Sequence, residues 1–278
     1  VKMSTPLEFA TRLARQAGKN LLDTFRLSGT TASMKPDRSF VTQADVAADQ
    51  LITTAIREQY PGDAILSEEL HNNLQLSATS VWIVDPLDGT TNFSLGLQVW
   101  GVLITRVHAG QPEESVQYFP MLDELYTAQR GQGAWLNGIP IQPRTAEPDQ
   151  PFGFFSCCSR THRRYEISIP YKPRILGSAA YSFCLLARGV ALIGMEVMPK
   201  IWDIAGAWLL VQEAGGVIQP LEGEAPFPLQ VGRDYSRANF PMLGAATPEL
   251  LDSARSKITP RPPPDPNAIP RPGTRQVG

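Results

Sequence analysis

The junction between an apolar run, Val81-Trp82-Ile83-Val84, and the segment Asp85-Pro86-Leu87-Asp88-Gly89-Thr90 constrains the fold more than any other stretch. A short apolar run bounded by turn signals reads as a buried strand. Strands end at the rim of a core, so Asp85 and Asp88 are delivered there. Pro86 fixes the backbone between them and bars helix at Asp85. The two acids are thus held close on a stiff turn, with the Leu87 carbonyl between them. Gly89 and Thr90 follow at what reads as a helix start, where backbone N–H groups can cradle phosphate. Carboxylates, a carbonyl and a phosphate cradle together suit Mg²⁺, a hard ion that takes oxygen ligands and substrate phosphate. Taken alone, the stretch also fits an Asp-Pro turn with solvated acids.

Acids with a similar setting lie elsewhere. Ile65-Leu66-Ser67-Glu68-Glu69 is a short apolar run ending on two glutamates, read as a second strand end or as solvated acids. In Trp202-Asp203-Ile204-Ala205-Gly206, Asp203 reads as the N-cap of a helix stopped by Gly215-Gly216.

Composition narrows the classes. A chain of 278 residues can bury a large core, as one domain or two packed halves. The net charge is −2 with no dense Lys/Arg run, so nothing draws the chain to nucleic acid or an anionic membrane. Apolar stretches are too short to span a bilayer, and the N-terminus lacks the pattern of a secretory signal. Cys157, Cys158 and Cys184 form an odd set that fits reduced thiols and a cytoplasmic location. His71, His108 and His162 are scattered without ligand spacing, which argues against a zinc enzyme or a Ser-His-Asp hydrolase.

Along the chain, Thr5-Pro6-Leu7-Glu8 forms a capping box that opens a helix over 6–26, with Phe9, Leu13, Ala17, Leu21 and Phe25 on one face. A second helix is expected over 44–59, capped by Thr42. Strands are expected at 64–68, 81–85, 98–107, 114–119 and 125–129, with Asn137-Gly138 as a hairpin turn. After a linker at 143–151, the second half reads as a strand at 152–157, a helix over 179–188 and a strand at 190–197. The Asp203 helix follows, then strands at 216–219 and 241–245 and a helix capped near Thr247-Pro248-Glu249. The expected units are 1–148, 149–256 and a Pro-rich tail over 257–278, too poor in apolar residues to fold alone. Mixed strands and helices in both halves argue α+β layers.

Three motifs in order carry a family resemblance: Ser67-Glu68-Glu69, Asp85 to Phe93, and Trp202-Asp203-Ile204-Ala205-Gly206 followed by Glu213-Ala214-Gly215-Gly216. Over roughly residues 5–250 the chain resembles the inositol monophosphatase family of Mg²⁺-dependent, lithium-sensitive phosphatases. The resemblance implies a layered αβαβα sandwich, a homodimer and a small phosphate ester as substrate. It implies a first Mg²⁺ held by Glu68, Asp85 and the Leu87 carbonyl, and a second held by Asp85, Asp88 and Asp203. The four acids carry a formal charge of about −4, which two such ions would offset. Thr90 matches the residue that orients and helps deprotonate the attacking water, and Asp45 matches its proton acceptor.

By the same resemblance, the Gly89 and Thr90 amides bind phosphate, and Ala179, Glu196 and Asp203 meet the substrate's hydroxyls. Lys35 matches a lysine of a mobile loop. An acid at position 196 argues against bisphosphates, and the Thr91-Asn92-Phe93 ending is similar to inositol monophosphatases. Two features depart from the pattern. Gly189 to Met195 lacks the family's usual acid and aromatic, and Lys200 offers charge for a second anionic group. The implied activity is hydrolysis of a polyol or sugar monophosphate, foremost inositol monophosphate. Histidinol phosphate, fructose 1,6-bisphosphate and a nucleotide 3′-phosphate stand as alternatives, and a non-catalytic regulatory protein as another.

Overall fold

The computed structural model describes residues 4–27, 33–34, 40–41, 43–69, 79–145, 153–230 and 232–262. In chain order the elements begin with α1 (Pro6–Leu27), β1 (Ser33–Met34), β2 (Phe40–Val41), α2 (Gln43–Gln59), β3 (Ala64–Ser67), β4 (Ser80–Asp88) and α3 (Thr90–Ser94). A run of strands follows: β5 (Gly101–His108), β6 (Gln111–Phe119), β7 (Glu124–Gln129), β8 (Gly133–Leu136), β9 (Ile139–Pro140) and β10 (Phe154–Cys157). Then come α4 (Thr161–Arg164), β11 (Tyr165–Ile167), β12 (Lys172–Arg174), α5 (Ala179–Ala187), β13 (Ala191–Glu196) and α6 (Ile201–Glu213). The described chain closes with β14 (Val217–Pro220), β15 (Met242–Ala245), α7 (Pro248–Arg255) and β16 (Ile258–Pro260).

A seven-stranded sheet runs β3-β4-β5-β6-β7-β8-β9, and a five-stranded sheet runs β12-β10-β13-β15-β14. Strand β4 explains the layering. Val81 and Ile83 point into one apolar cluster, while Trp82 and Val84 point into another, so both faces of the sheet are covered. On one side lie α1 and α2, with Ala10, Leu13, Ala14, Ala17, Leu21, Ile52 and Ile56 buried against it. On the other side α5 and α6 fill the space between the two sheets. Helix α7 closes the outer face of the five-stranded sheet through Leu251 and Ala254. The order is therefore αβαβα, as the resemblance implied.

Local chemistry accounts for the ends of several elements. The Glu8 amide donates to Thr5 Oγ1 at 3.2 Å and the Thr5 amide to Glu8 Oε2 at 2.9 Å, a complete capping box. Asn137 and Gly138 take positive φ of 51° and 79° between β8 and β9, as a two-residue hairpin turn requires.

Four expectations need correction. The segment from Asp85 to Asp88 stays in β4 with one extra residue against β5, so a bulge holds the acids rather than a turn. Both are buried rather than set at a rim. Asp203 is the third residue of α6, not its cap; Lys200 occupies the cap. The folded chain also passes residue 256, because β16 pairs antiparallel with β11 and the Arg261 amide donates to the Arg164 carbonyl at 2.7 Å. The expected cap Thr42, the boundary at 148–149, Lys35, His71 and the rest of the Pro-rich tail lie outside the described residues.

Candidate active site

Parallel pairing of β3 with β4 begins the site. Ser67 is in register with Val84, and the Glu68 amide donates to the Val84 carbonyl at 3.1 Å. The next residues, Glu68 and Asp85, thereby emerge side by side from two adjacent strands. The bulge in β4 then brings Asp88 back beside Asp85, whose Oδ1 accepts the Leu87 amide at 3.0 Å.

The other wall comes from two helix starts between the sheets. Asp203, in the first turn of α6, accepts the Lys200 amide at 2.7 Å. Asp88 accepts the Ser178 hydroxyl, and the first amides of α5, those of Ala179 and Ala180, point at it as well. Ser178 also caps α5 by accepting the Tyr181 amide at 3.0 Å. One serine thus starts the helix and turns its positive end toward Asp88. In the sequence it stands within Gly177-Ser178-Ala179-Ala180, which the resemblance assigns to the polyol pocket, and a serine before an apolar helical run is also a cap signal.

Carboxylate oxygens of Asp85, Asp88 and Asp203 lie within 4.8 Å of one another. Burial, then Glu68, then Asp88 and Asp203 push the Asp85 carboxyl well above its ordinary range. Burial, then Asp88 and Glu68, do the same to Asp203. Asp88 is pushed up to about 7 by burial, opposed by its bond from Ser178. Without a cation, such a cluster favours binding protons. An all-oxygen donor set of this charge fits a hard divalent cation, whose charge would reverse that preference. Glu68, Asp85, Asp88 and Asp203 are the groups that could hold one.

Beside the cluster, Thr90 Oγ1 lies 3.1 Å from Asp45 Oδ1 and 3.0 Å from the Leu87 carbonyl oxygen. One hydroxyl proton therefore has two acceptors. Asp45 is buried on α2, four residues before the equally buried Asp49, whose Oδ1 accepts the Ser67 hydroxyl. Gly89 caps the five-residue α3 at φ 83°, and an added Cβ would lie 2.8 Å from the Val99 carbonyl oxygen, so only glycine fits. Asn92 donates to the Val99 carbonyl at 2.7 Å and to the Leu176 carbonyl at 2.8 Å, which locks α3 to the segment leading into α5.

A cavity of about 400 Å³ opens next to the carboxylates, lined by Asn92, Arg160, Ser178, Ala179, Glu196 and Asp203 among others. Glu196 is buried at its floor, where it accepts the Ser182 hydroxyl at 2.8 Å and the Cys158 thiol. Burial pushes its carboxyl up to about 8. Lys200 does not line this cavity; its Nζ donates to the Arg237 carbonyl at 3.1 Å. The structure thus brings together Glu68, Asp85, Leu87, Asp88 and Asp203, sets Thr90 on Asp45 beside them, and places Ala179 and Glu196 in the adjoining cavity.

Comparison with known proteins identifies the family. Residues 2–256 match the profile of the inositol monophosphatase family. "Nus factor SuhB" of Escherichia coli strain K12 is 35% identical over 232 residues, 80% of this chain and 87% of that protein. "Inositol monophosphatase 1" of Sus scrofa is 30% identical, covering 84% of this chain and 89% of its own. "Histidinol-phosphatase" of Chlorobaculum parvum is 32% identical, covering 77% and 85% respectively. Among solved structures, the extragenic suppressor protein suhB from Bartonella henselae superposes with a TM-score of 0.76 at 25% identity, covering 91% of this chain and 98% of that one.

Proposed function

Because the chain belongs to the inositol monophosphatase family, we propose that it is an Mg²⁺-dependent phosphomonoesterase acting on a small polyol or sugar phosphate, foremost inositol monophosphate. The observation that carries this reading is the convergence of Asp85, Asp88 and Asp203 within 4.8 Å, with Thr90 on Asp45 beside them. Glu68, Asp85 and the Leu87 carbonyl would hold one Mg²⁺, and Asp85, Asp88 and Asp203 a second. Bound there, the ions would supply the positive charge that acidifies a water and offsets charge on the phosphoryl group.

The chain's own residues handle the proton and the position of the ester. With its hydroxyl proton turned to Asp45 Oδ1, Thr90 presents lone pairs to a water and can take its proton as Asp45 receives the hydroxyl's own. The Leu87 carbonyl offers the same hydroxyl a second acceptor, so the group is poised rather than locked. Amides of Gly89 and Thr90 would receive phosphate oxygens. Ala179, Glu196 and Asp203 would meet the hydroxyls of the leaving alcohol. Burial favours the protonated form of Glu196, which can both donate to and accept from a polyol.

The identities of the relatives do not select one ester. Inositol monophosphate is favoured by the Thr91-Asn92-Phe93 segment and by Glu196. Histidinol phosphate is the second reading, favoured by the Chlorobaculum parvum relative. A cytoplasmic homodimer with no nucleic-acid or membrane partner completes the proposal; among the described residues no helix is long and apolar enough to cross a membrane.

The test is phosphate release with and without Mg²⁺ from inositol 1-phosphate, glycerol 2-phosphate, histidinol phosphate, fructose 1,6-bisphosphate and adenosine 3′,5′-bisphosphate. Mg²⁺-dependent preference for one supports the reading and names the class. Silence on all five, with Mg²⁺ bound, would favour a regulatory role instead.

A further inference from the structure

The substrate cavity contains a cation that no motif announces. Arg160 is exposed and sits in the turn after β10, on the same cavity wall as Cys158 and Ser159. Its backbone is fixed: the Thr161 amide donates to the Cys158 carbonyl at 3.1 Å, and the Arg164 amide to the Arg160 carbonyl at 3.2 Å. Thr161, fully buried, packs its hydroxyl 3.3 Å from the Cys158 thiol and anchors the turn from below. The guanidinium lies against Met198, another lining residue, with Nη1 3.5 Å from Sδ, a weak acceptor that leaves most of its five donors unused. Among the described residues no carboxylate forms an ion pair with it.

The remaining charges of the cavity do not compete for it. Asp203 faces the carboxylate cluster, and Glu196 is occupied by Ser182 and Cys158. Lys200, the cation expected from the sequence, is turned to the Arg237 carbonyl. A guanidinium with free donors, fixed at its root in the wall of the cavity that Asp203 also lines, is a receptor for an anion on the leaving alcohol. Carboxylate and phosphate share that chemistry.

We infer that Arg160 is a specificity residue that selects phosphate esters whose leaving alcohol carries a second anionic group, a carboxylate or a second phosphate. The inference rests on the phosphatase reading but changes its preferred ester, since inositol monophosphate, whose alcohol carries no second anion, would then be a poorer substrate than an ester that does. It also reverses the expectation, drawn from Glu196 alone, that the cavity rejects a second phosphate.

The decisive pair is 2-phosphoglycerate and glycerol 2-phosphate, which differ only by a carboxylate in place of a hydroxymethyl group. We expect wild type to favour 2-phosphoglycerate in kcat/KM by about tenfold. In Arg160→Gln that ratio should fall toward one, and Arg160→Lys should restore part of it. Fructose 1,6-bisphosphate against inositol 1-phosphate repeats the comparison for a second phosphate. A ratio that stays unchanged in Arg160→Gln, or a wild-type ratio near one in both pairs, overturns the inference.

Turnover of none of these four esters, nor of histidinol phosphate, in Mg²⁺ would instead sink the phosphatase reading. The 2-phosphoglycerate and glycerol 2-phosphate pair titrated calorimetrically then still judges Arg160. Tighter binding of 2-phosphoglycerate that is lost in Arg160→Gln supports the assignment, and equal affinities in wild type refute it.

Discussion

A neutral threonine hydroxyl is too weak a base to take a proton from water unless it passes its own on, which is why the 3.1 Å contact between Thr90 and Asp45 matters. We expect Thr90→Ala to lower kcat by about 10²–10⁴-fold while the Mg²⁺ concentration for half-maximal rate moves little. Thr90→Ser should recover much of the loss. A variant whose whole defect is cured by more Mg²⁺ would show that Thr90 serves the ions and not the proton. At this scale the sequence was partly legible. Acids that follow apolar runs, such as Glu68 and Asp85, advertise themselves, and the family resemblance supplied Asp45. The resemblance marked Ser178 only as part of the pocket segment, and Arg160 not at all, because their roles depend on partners distant in the chain, Asp88 and the cavity around Glu196. Asp49 escaped notice for the same reason, since only folding brings Ser67 onto it.

Among the elements, the parallel start of the seven-stranded sheet and the bulge in β4 are what assemble the carboxylates. An apolar run before an Asp-Pro pair revealed the strand but not the bulge, because the extra residue is defined only by pairing with β5. The same limit explains the C-terminal boundary. Ile258-Thr259-Pro260 opens a Pro-rich stretch, and its partner, Tyr165–Ile167, lies far upstream in the chain. Ending the chain after Ser256 removes this pair together with the Arg261 contacts to Arg164 and Tyr165. We expect a Tm about 5 °C lower than for a chain ending after Pro262, since in a protein of this size each kcal/mol moves Tm by about 2–4 °C. Equal melting of the two truncations would show that the β11–β16 pair contributes nothing to stability.

For the whole molecule, five layers bury a cluster of like charges at the meeting of two sheets, and this couples stability to protons and metal. The carboxyls of Asp88 and Glu196 are raised on folding to about 7 and about 8. Between their ordinary values and these, the native state holds protons that the unfolded chain releases, so their contribution to stability falls as pH rises. Divalent cations act in the opposite sense, since they replace those protons and bind only the folded site. The rise in Tm produced by saturating Mg²⁺ should therefore be small at pH 5 and several degrees larger at pH 8. A shift of the same size at both values would argue that the ions bind elsewhere.

The most direct test of the central claim is phosphate release from inositol 1-phosphate as Mg²⁺ is titrated, for wild type and Asp203→Asn side by side. We expect wild-type turnover to require Mg²⁺, and the variant to lose about a hundredfold or more while retaining the fold by circular dichroism. Turnover without divalent ions, or near-normal turnover by Asp203→Asn, would contradict a catalytic role for the buried carboxylates.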